Sequence, residues 1–349
     1  MDNIQKPEIL INGMILKDLH IGYQGNRKQV SVFREINLSA REGELVALLG
    51  INGIGKSTLL NTITSLIPPI EGTITINNQD VTCFSKKKLA KIISYVSTRQ
   101  IKESNLLARD LIGMGRHPHT GWMGQLNKKD KEAVYQAAVD VNATHLLDKP
   151  MSNLSDGERQ RVMIARALAQ DTPVMVLDEP TAFLDIYNRY EIIGLLRNTA
   201  WNKGKTIVYS THDLSIASRV SDKIWLMCPG NCIEGAPEDL MLQGAYSNLL
   251  DPGKLEFDVN TGEIKYVHKN PESIYLDGPE PLITNTSAAL KRLGFHPVKD
   301  NQCEKSVLIL KENQKPVWQY KKNNDKFSFH SIYQLSLHLK QTKSTSNPN

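Results

Sequence analysis

Apolar positions along this chain follow two different rhythms. The runs Leu45–Leu49, Val174–Leu177 and Thr206–Ser210 are nearly continuous in aliphatic residues, as expected for strands covered on both faces. Met14–Ile21, Val30–Phe33 and Thr73–Asn77 instead alternate apolar with polar residues, which predicts a more antiparallel β layer. Between Lys86 and Leu147 the pattern turns mostly helical, with Lys128–Val141 the clearest amphipathic piece. Strands alternating with helices predict an α/β fold whose parallel or mixed core sheet is flanked by helices, with an antiparallel β layer and a helical subdomain beside it.

Asp251-Pro252-Gly253 is a turn-rich break, and the composition changes beyond it. This predicts a first domain over 1–253 and a small C-terminal α+β domain over 254–349. In the latter the pattern suggests a hairpin around Asn260-Thr261-Gly262, a capped helix from Ser287 ending at Gly294, and paired strands at Ser306–Leu310 and Lys315–Tyr320. Ile332–Leu339 fits both a period of two and a helical stripe, so its state stays open. Thr342–Asn349 is expected to be disordered.

At 349 residues, 40% of them hydrophobic, the chain can fill one large core and a smaller one. Met1–Pro7 lacks the basic start and apolar run of a signal peptide, and no apolar stretch reaches the length of a membrane span. Cys83, Cys228, Cys232 and Cys303 lack the paired spacing of a zinc site or a disulfide framework, so reduced thiols are expected. The net charge of +5 is spread along the chain, and nucleic acid is not expected as a partner.

Directly behind Leu45–Leu49 stands Gly50-Ile51-Asn52-Gly53-Ile54-Gly55-Lys56-Ser57-Thr58. Strand, glycine loop and helix in this order make the phosphate-binding loop of a nucleoside triphosphatase. The glycines allow a tight turn and close approach, so that backbone N–H groups and the positive end of the next helix point at a polyphosphate. Lys56 adds a full charge, and Ser57 supplies the hydroxyl that such loops use on Mg²⁺. Behind Val174–Leu177 come Asp178 and Glu179. There Asp178 would hold Mg²⁺, directly or through water, and Glu179 would deprotonate the attacking water.

Between these two sites lies Leu154-Ser155-Asp156-Gly157-Glu158-Arg159-Gln160, which opens a helix. It resembles the Leu-Ser-Gly-Gly-Gln signature of the ATP-binding cassette (ABC) ATPases. The resemblance implies that Ser155 and Gly157 meet the γ-phosphate held by a second copy of the chain, so that ATP joins a head-to-tail pair. It also implies an adenine-stacking role for Tyr23, a dimer-crossing D-loop at Leu184-Asp185, and a switch histidine at His212 that helps hold the water. Two features depart from the family pattern. Asp156 and Glu158 replace a glycine and a glutamine of the signature, and the switch glutamine after Ile93-Ser94-Tyr95-Val96 is represented by either Thr98 or Gln100.

Gly115-Arg116-His117-Pro118, followed by Trp122, is similar to the ATPases of importers for iron siderophores, haem and cobalamin. That likeness implies two copies beneath two membrane permease subunits, peripheral on the cytoplasmic face, fed by a periplasmic or lipoprotein substrate-binding protein. The alternatives are the ATPase of an exporter or lipid transporter, or a soluble cassette ATPase. The latter usually carries a long coiled coil, zinc modules or two tandem cassettes, none of which is visible here. Residues 254–349 lie outside the resemblance and carry no chemical signature, so an accessory role is expected for them.

Overall fold

The alternating segments build one antiparallel sheet. It contains β1 (Gly13–Gln24), β2 (Gln29–Arg41), β4 (Glu71–Ile76) and β5 (Gln79–Asp80) in the order β2-β1-β4-β5. The aliphatic runs build the other sheet, from β3 (Leu45–Gly50), β6 (Ile93–Val96), β7 (Val174–Leu177), β8 (Thr206–Thr211), β9 (Lys223–Cys228) and β10 (Asn231–Gly235), in the order β10-β9-β3-β8-β7-β6. Every pairing in this sheet is parallel except β9 with β10. All residues of β3, β7 and β8 are buried, which is why these strands show no alternation. The computed structural model describes residues 13–24, 29–98, 105–121, 124–250, 253–258, 263–268, 271–301, 303–312, 314–323 and 325–344.

The helices of this part are α1 (Lys56–Ile63), α2 (Lys86–Leu89), α3 (Ala108–Met114), α4 (Lys128–Asp140), α5 (Asp156–Ala169), α6 (Ile186–Lys203), α7 (Leu214–Val220) and α8 (Pro237–Leu242). One correction falls in the stretch expected to be mostly helical, because Ile93–Val96 is strand β6, paired with β7. It is only four residues long and carries Ser94 in its middle, so it lacks the aliphatic run that marks β3. Thr172 compensates, its Oγ1 lying 2.9 Å from the buried Ser94 hydroxyl.

The motif at Gly115 proves to be a packing device. A Cβ at Gly115 would lie 2.1 Å from the Arg166 carbonyl oxygen, so glycine lets the end of α3 rest on the backbone of α5. Arg116 then reaches the Ala169 carbonyl at 2.8 Å and pairs with Asp130 at 3.0 Å, and the His119 ring bonds the Gln170 carbonyl at 2.9 Å. The Arg116 guanidinium at the carbonyl end of α5 suits its dipole. Burial opposes ionisation of Asp130, but the Asn127 N–H and the Arg116 guanidinium outweigh it and hold the carboxyl below its ordinary range. Gln170 Nε2 carries the network into the core by donating to the carbonyls of Ala90 and Ile93, at 2.7 and 3.0 Å. Gly115→Ala is expected to cost about 1–3 kcal/mol through overpacking against rigid backbone, seen as a lower urea midpoint at unchanged slope.

The described residues fall into two compact units, one running to Leu249 and including Glu263, the other holding the remainder from Leu250 onward. The second contains β11 (Leu255–Asp258) and all but the first residue of its partner β12 (Glu263–Tyr266), flanking the expected hairpin turn, which lies outside the described residues. It also has β13 (Glu272–Asp277), β14 (Phe295–Val298), β15 (Lys305–Glu312), β16 (Lys315–Lys322) and β17 (Asp325–Phe329), in the order β14-β13-β15-β16-β17. The expected antiparallel pairing of 306–310 with 315–320 is present as β15 and β16.

Helix α9 (Leu282–Arg292) corrects the expected start at Ser287. Pro279 and Pro281 set its beginning, and Thr286, which would have to lie outside a helix capped at Ser287, is buried inside and accepts the Trp318 indole N–H at 2.8 Å. Gly294 does follow its end, with a φ of 77°. The open segment becomes α10 (Ile332–Ser344), whose Leu335 and Leu339 join Ile274, Val307, Ile309 and Trp318 in the core. Thr342 to Ser344, expected to be disordered, are therefore helical, and 345–349 lie outside the described residues.

Candidate functional site

At the carboxyl end of β3 the backbone turns through Gly53 and Gly55, with φ of 80° and 116°, into α1. A Cβ at Gly50 would lie 2.9 Å from the Met227 carbonyl oxygen, and one at Gly55 would lie 2.6 Å from Val32. Side chains are thus excluded where the loop is most tightly wound. Ile51, Asn52, Gly53 and Ser57 are exposed at the mouth, Ile54 and Gly55 are half-buried, and Thr58 is buried. Lys56 is buried too, its Nζ donating to the carbonyls of Gly50 at 2.8 Å and Ile51 at 3.2 Å. Burial pulls its ammonium below the ordinary lysine range, while the Glu179 and Asp178 carboxylates pull the other way. The Tyr23 hydroxyl lies 3.0 Å from Thr58 Oγ1, and 49% of the residue is exposed beside the loop.

The neighbouring strands deliver the acids. β7 ends at Leu177, so Asp178 sits buried at its tip and Glu179 half-buried beyond it, with a φ of 46°. Ser210, fully buried in β8, joins both: its hydroxyl donates to Asp178 Oδ1 at 2.7 Å and accepts the Glu179 N–H at 2.8 Å. His212 follows β8 and is exposed. With Glu179, Thr181, Arg189 and Asp213 it lines a cavity of about 310 Å³, so the expected base and the expected switch histidine share one opening. Thr98, half-buried, follows β6, whereas Gln100 lies outside the described residues.

The helix start at Ser155 is a reciprocal cap. The Ser155 hydroxyl accepts the Glu158 N–H at 3.2 Å, and Glu158 Oε2 accepts the Ser155 N–H at 2.9 Å. That backbone bond is the main reason the Glu158 carboxyl lies below its ordinary range. Lys149 Nζ stands 3.6 Å from Glu158, and the buried Arg159 pairs with Asp156 at 2.7 Å. Both carboxylates that depart from the family signature therefore carry a local countercharge. Gly157 is buried against Asn188, whose side chain a Cβ would approach to 3.0 Å. Asn188 also bonds Asp185, the exposed cap of α6, through its backbone at 2.8 Å and its side chain at 2.9 Å.

Two groups result. The glycine loop, Lys56, Asp178, Glu179 and His212 stand on the carboxyl ends of neighbouring parallel strands, where open α/β sheets bind their ligands, and Tyr23, near the end of β1 in the antiparallel sheet, joins them through Thr58. Ser155, Gly157 and Asp185 form a second group through Asn188. Among the described residues, no hydrogen bond or ion pair joins this second group to the loop. Sequence reasoning missed Ser210 and Asn188. The only available signal for Ser210 was a hydroxyl at the end of an otherwise apolar strand.

The residues present suit Mg²⁺ and a triphosphate. A buried cation rests on loop carbonyls, a buried carboxylate has one oxygen held by Ser210, and Ser57 offers a hydroxyl, all hard oxygen donors apart from the lysine. Among the described residues, no cluster of three or more His, Cys, Asp or Glu could hold a metal by itself.

The family profile described as "ABC transporter" matches residues 33–182, and that of the "Iron ABC transporter C-terminal domain" matches 271–340. The chain is 40% identical over 236 residues to an uncharacterised ABC transporter ATP-binding protein of Methanocaldococcus jannaschii, covering 67% of this chain and 80% of that protein. It is 34% identical to a petrobactin import ATP-binding protein of Bacillus anthracis, covering 66% and 85%. The dimeric structure of an ATP-binding cassette in a post-hydrolysis state, bound to ADP and Pi, superposes with a TM-score of 0.56 at 27% identity, covering 64% of this chain and 98% of that one. With a phosphate loop, an acid pair and a capped signature helix arranged on such a cassette, the chain belongs to the ATP-binding proteins of the ABC transporters.

Proposed function

We propose that this chain hydrolyses ATP to power an importer of iron siderophores, working as a pair of cassettes beneath a membrane permease. The observation that carries the reading is that one chain holds both a loop able to take a triphosphate and a capped signature helix start with an exposed serine, with no hydrogen bond or ion pair joining the two among the described residues. Two copies placed head to tail would bring Ser155 and Gly157 of each to the nucleotide on the other. Phe183 and Ile186, which flank Asp185, are 76% and 73% exposed, and an apolar patch of this kind beside the D-loop supports a surface that a second copy covers. The petrobactin relative and the iron-transporter profile over 271–340 support the substrate class.

In this scheme residues 1–253 form the nucleotide-binding domain and 254–349 an accessory domain. Tyr23 stacks on adenine, while the backbone of residues 50–58 and the Lys56 ammonium bind the β- and γ-phosphates. Ser57 and Asp178 would hold Mg²⁺, which when bound supplies a Lewis acid at the phosphate oxygens. Glu179 takes a proton from water as the water oxygen attacks the γ-phosphorus and the bond to ADP breaks, and His212 orients that water. Closure is driven because ATP favours the paired state, and loss of the γ-phosphate bridge lets the halves part. A substrate-binding protein delivers cargo on the far side of the membrane, and the chain sits peripherally on the cytoplasmic face. Among the described residues, no helix is long and apolar enough to cross a membrane.

The test is co-purification with a multi-spanning permease, followed by ATP-driven uptake into vesicles holding the complex. Ferric siderophore uptake is the expected result. Uptake of haem or cobalamin instead would redirect the substrate class, and recovery without any permease would favour a soluble cassette ATPase.

A further inference from the structure

Ser210 is completely buried within a strand whose every residue is buried. At such a place an aliphatic side chain packs without cost, and a hydroxyl must find partners. The partners it has are the two acidic residues of the site: Asp178 Oδ1 at 2.7 Å and the Glu179 N–H at 2.8 Å. A serine hydroxyl has one proton and two lone pairs. The Glu179 amide can only donate, so the Ser210 oxygen accepts there and its single proton points to Asp178 Oδ1. That bond fixes the rotation of the carboxylate and uses part of the capacity of Oδ1, which makes Oδ2 the oxygen with more left to offer a cation. The same hydroxyl holds the backbone of Glu179, whose φ of 46° lies in the left-handed region that a glutamate rarely adopts.

We infer that Ser210 is a positioning residue that sets two groups at once, turning one oxygen of Asp178 toward the magnesium and fixing the backbone from which Glu179 reaches the water. The inference rests on the nucleotide-site reading above and assigns to this hydroxyl a role that a packing residue would not have. Hydrogen bonds behind a metal ligand usually carry about 10- to 100-fold in metal affinity. Removal of the Ser210 hydroxyl is therefore expected to weaken the metal by about that factor and to lower kcat, with nucleotide binding in the absence of metal unchanged.

The experiment compares wild type with Ser210→Ala, Ser210→Thr and Ser210→Val in the full chain. Mn²⁺ binding is followed by electron paramagnetic resonance with a saturating nonhydrolysable ATP analogue, and analogue affinity in EDTA is measured in parallel. Threonine and valine have the same shape and differ in the hydroxyl alone, so their comparison cancels the added methyl. The expected result is weaker Mn²⁺ binding in the alanine and valine variants, binding retained by threonine, and equal analogue affinity in EDTA throughout. Wild-type Mn²⁺ affinity in Ser210→Ala would overturn the inference. If that variant does not fold, equal Mn²⁺ affinity in the threonine and valine variants would overturn it as well. A wild-type chain whose Mn²⁺ binding does not respond to the analogue would instead overturn the reading of the site itself, so the two failures are read apart.

Discussion

Glu179→Gln is expected to lower steady-state ATP turnover by about 10²–10⁴-fold, the usual contribution of a positioned general base, while ATP remains bound. The amide is nearly isosteric and makes no demand on the backbone, which stays tied to Ser210 through the residue 179 N–H. What disappears is the basicity with which, in the proposed scheme, the carboxylate accepts the proton of the attacking water. A second consequence follows from charge. The Glu179 carboxylate lines the opening that His212 shares, and its loss removes a repulsion against the triphosphate that would bridge two copies. In the proposed scheme hydrolysis lets the copies part, so the variant should accumulate as an ATP-bound dimer. Size-exclusion chromatography with and without ATP, beside a phosphate-release assay, checks both halves of this expectation. Turnover at the wild-type rate would remove Glu179 from the role of base, and a slow variant that stays monomeric with ATP would remove the shared-nucleotide mechanism instead.

The parts legible in the sequence were those whose physics is local. Strands β3, β7 and β8 announce themselves because burial on both faces demands uninterrupted aliphatic residues, and the loop after β3 because close approach to phosphate demands glycine. β6 hid because four residues with a central serine carry no period. The start of α9 was misplaced for a related reason: Ser287 looks like a cap, but Pro281 and the burial of Thr286 against Trp318 decide where the helix begins. Helix α10 could not be separated from a strand until its apolar residues met a sheet, since Leu335 and Leu339 satisfy either period. Within the candidate site, Lys56, Asp178 and Glu179 could be named from motif spacing, and Tyr23 and His212 from the family resemblance, yet the link between them could not. Ser210 is 31 residues from Glu179 and 32 from Asp178 in sequence, and only the pairing of β7 with β8 brings it between them.

The two unusual acids of the signature show the same limit from the other side. Read alone, Asp156 and Glu158 place negative charge where a phosphate should arrive. In the fold, Glu158 turns back to cap its own helix and faces Lys149, while Asp156 is held by Arg159. A carboxylate in the first turn of a helix is also favoured by the dipole. The exposed Ser155 hydroxyl accepts one backbone N–H and keeps its proton available to a phosphate oxygen.

Lys56→Ala is expected to weaken ATP binding by about 30-fold to several thousand-fold, the loss of about 2–5 kcal/mol that follows truncation of one member of a buried charge pair. Its ammonium donates to the carbonyls of Gly50 and Ile51, and a triphosphate entering the loop offers full negative charges in their place. Burial already works against that ammonium, so its hydrogen bonds to the loop carbonyls do little more than offset desolvation. The alanine variant should accordingly unfold within a few degrees of wild type, and this near-silence in stability separates a binding role from a structural one. Calorimetric titration with ATP in EDTA, where no cation can rescue affinity, gives the cleanest measure, and a thermal melt of the empty protein supplies the control. Lys56→Arg should recover little, because the planar guanidinium needs more room than a loop whose glycines already stand against Met227 and Val32 can give. Unchanged ATP affinity in the alanine variant would mean that the loop does not hold the phosphates, while a large fall in melting temperature would mean that Lys56 serves the fold before it serves the nucleotide.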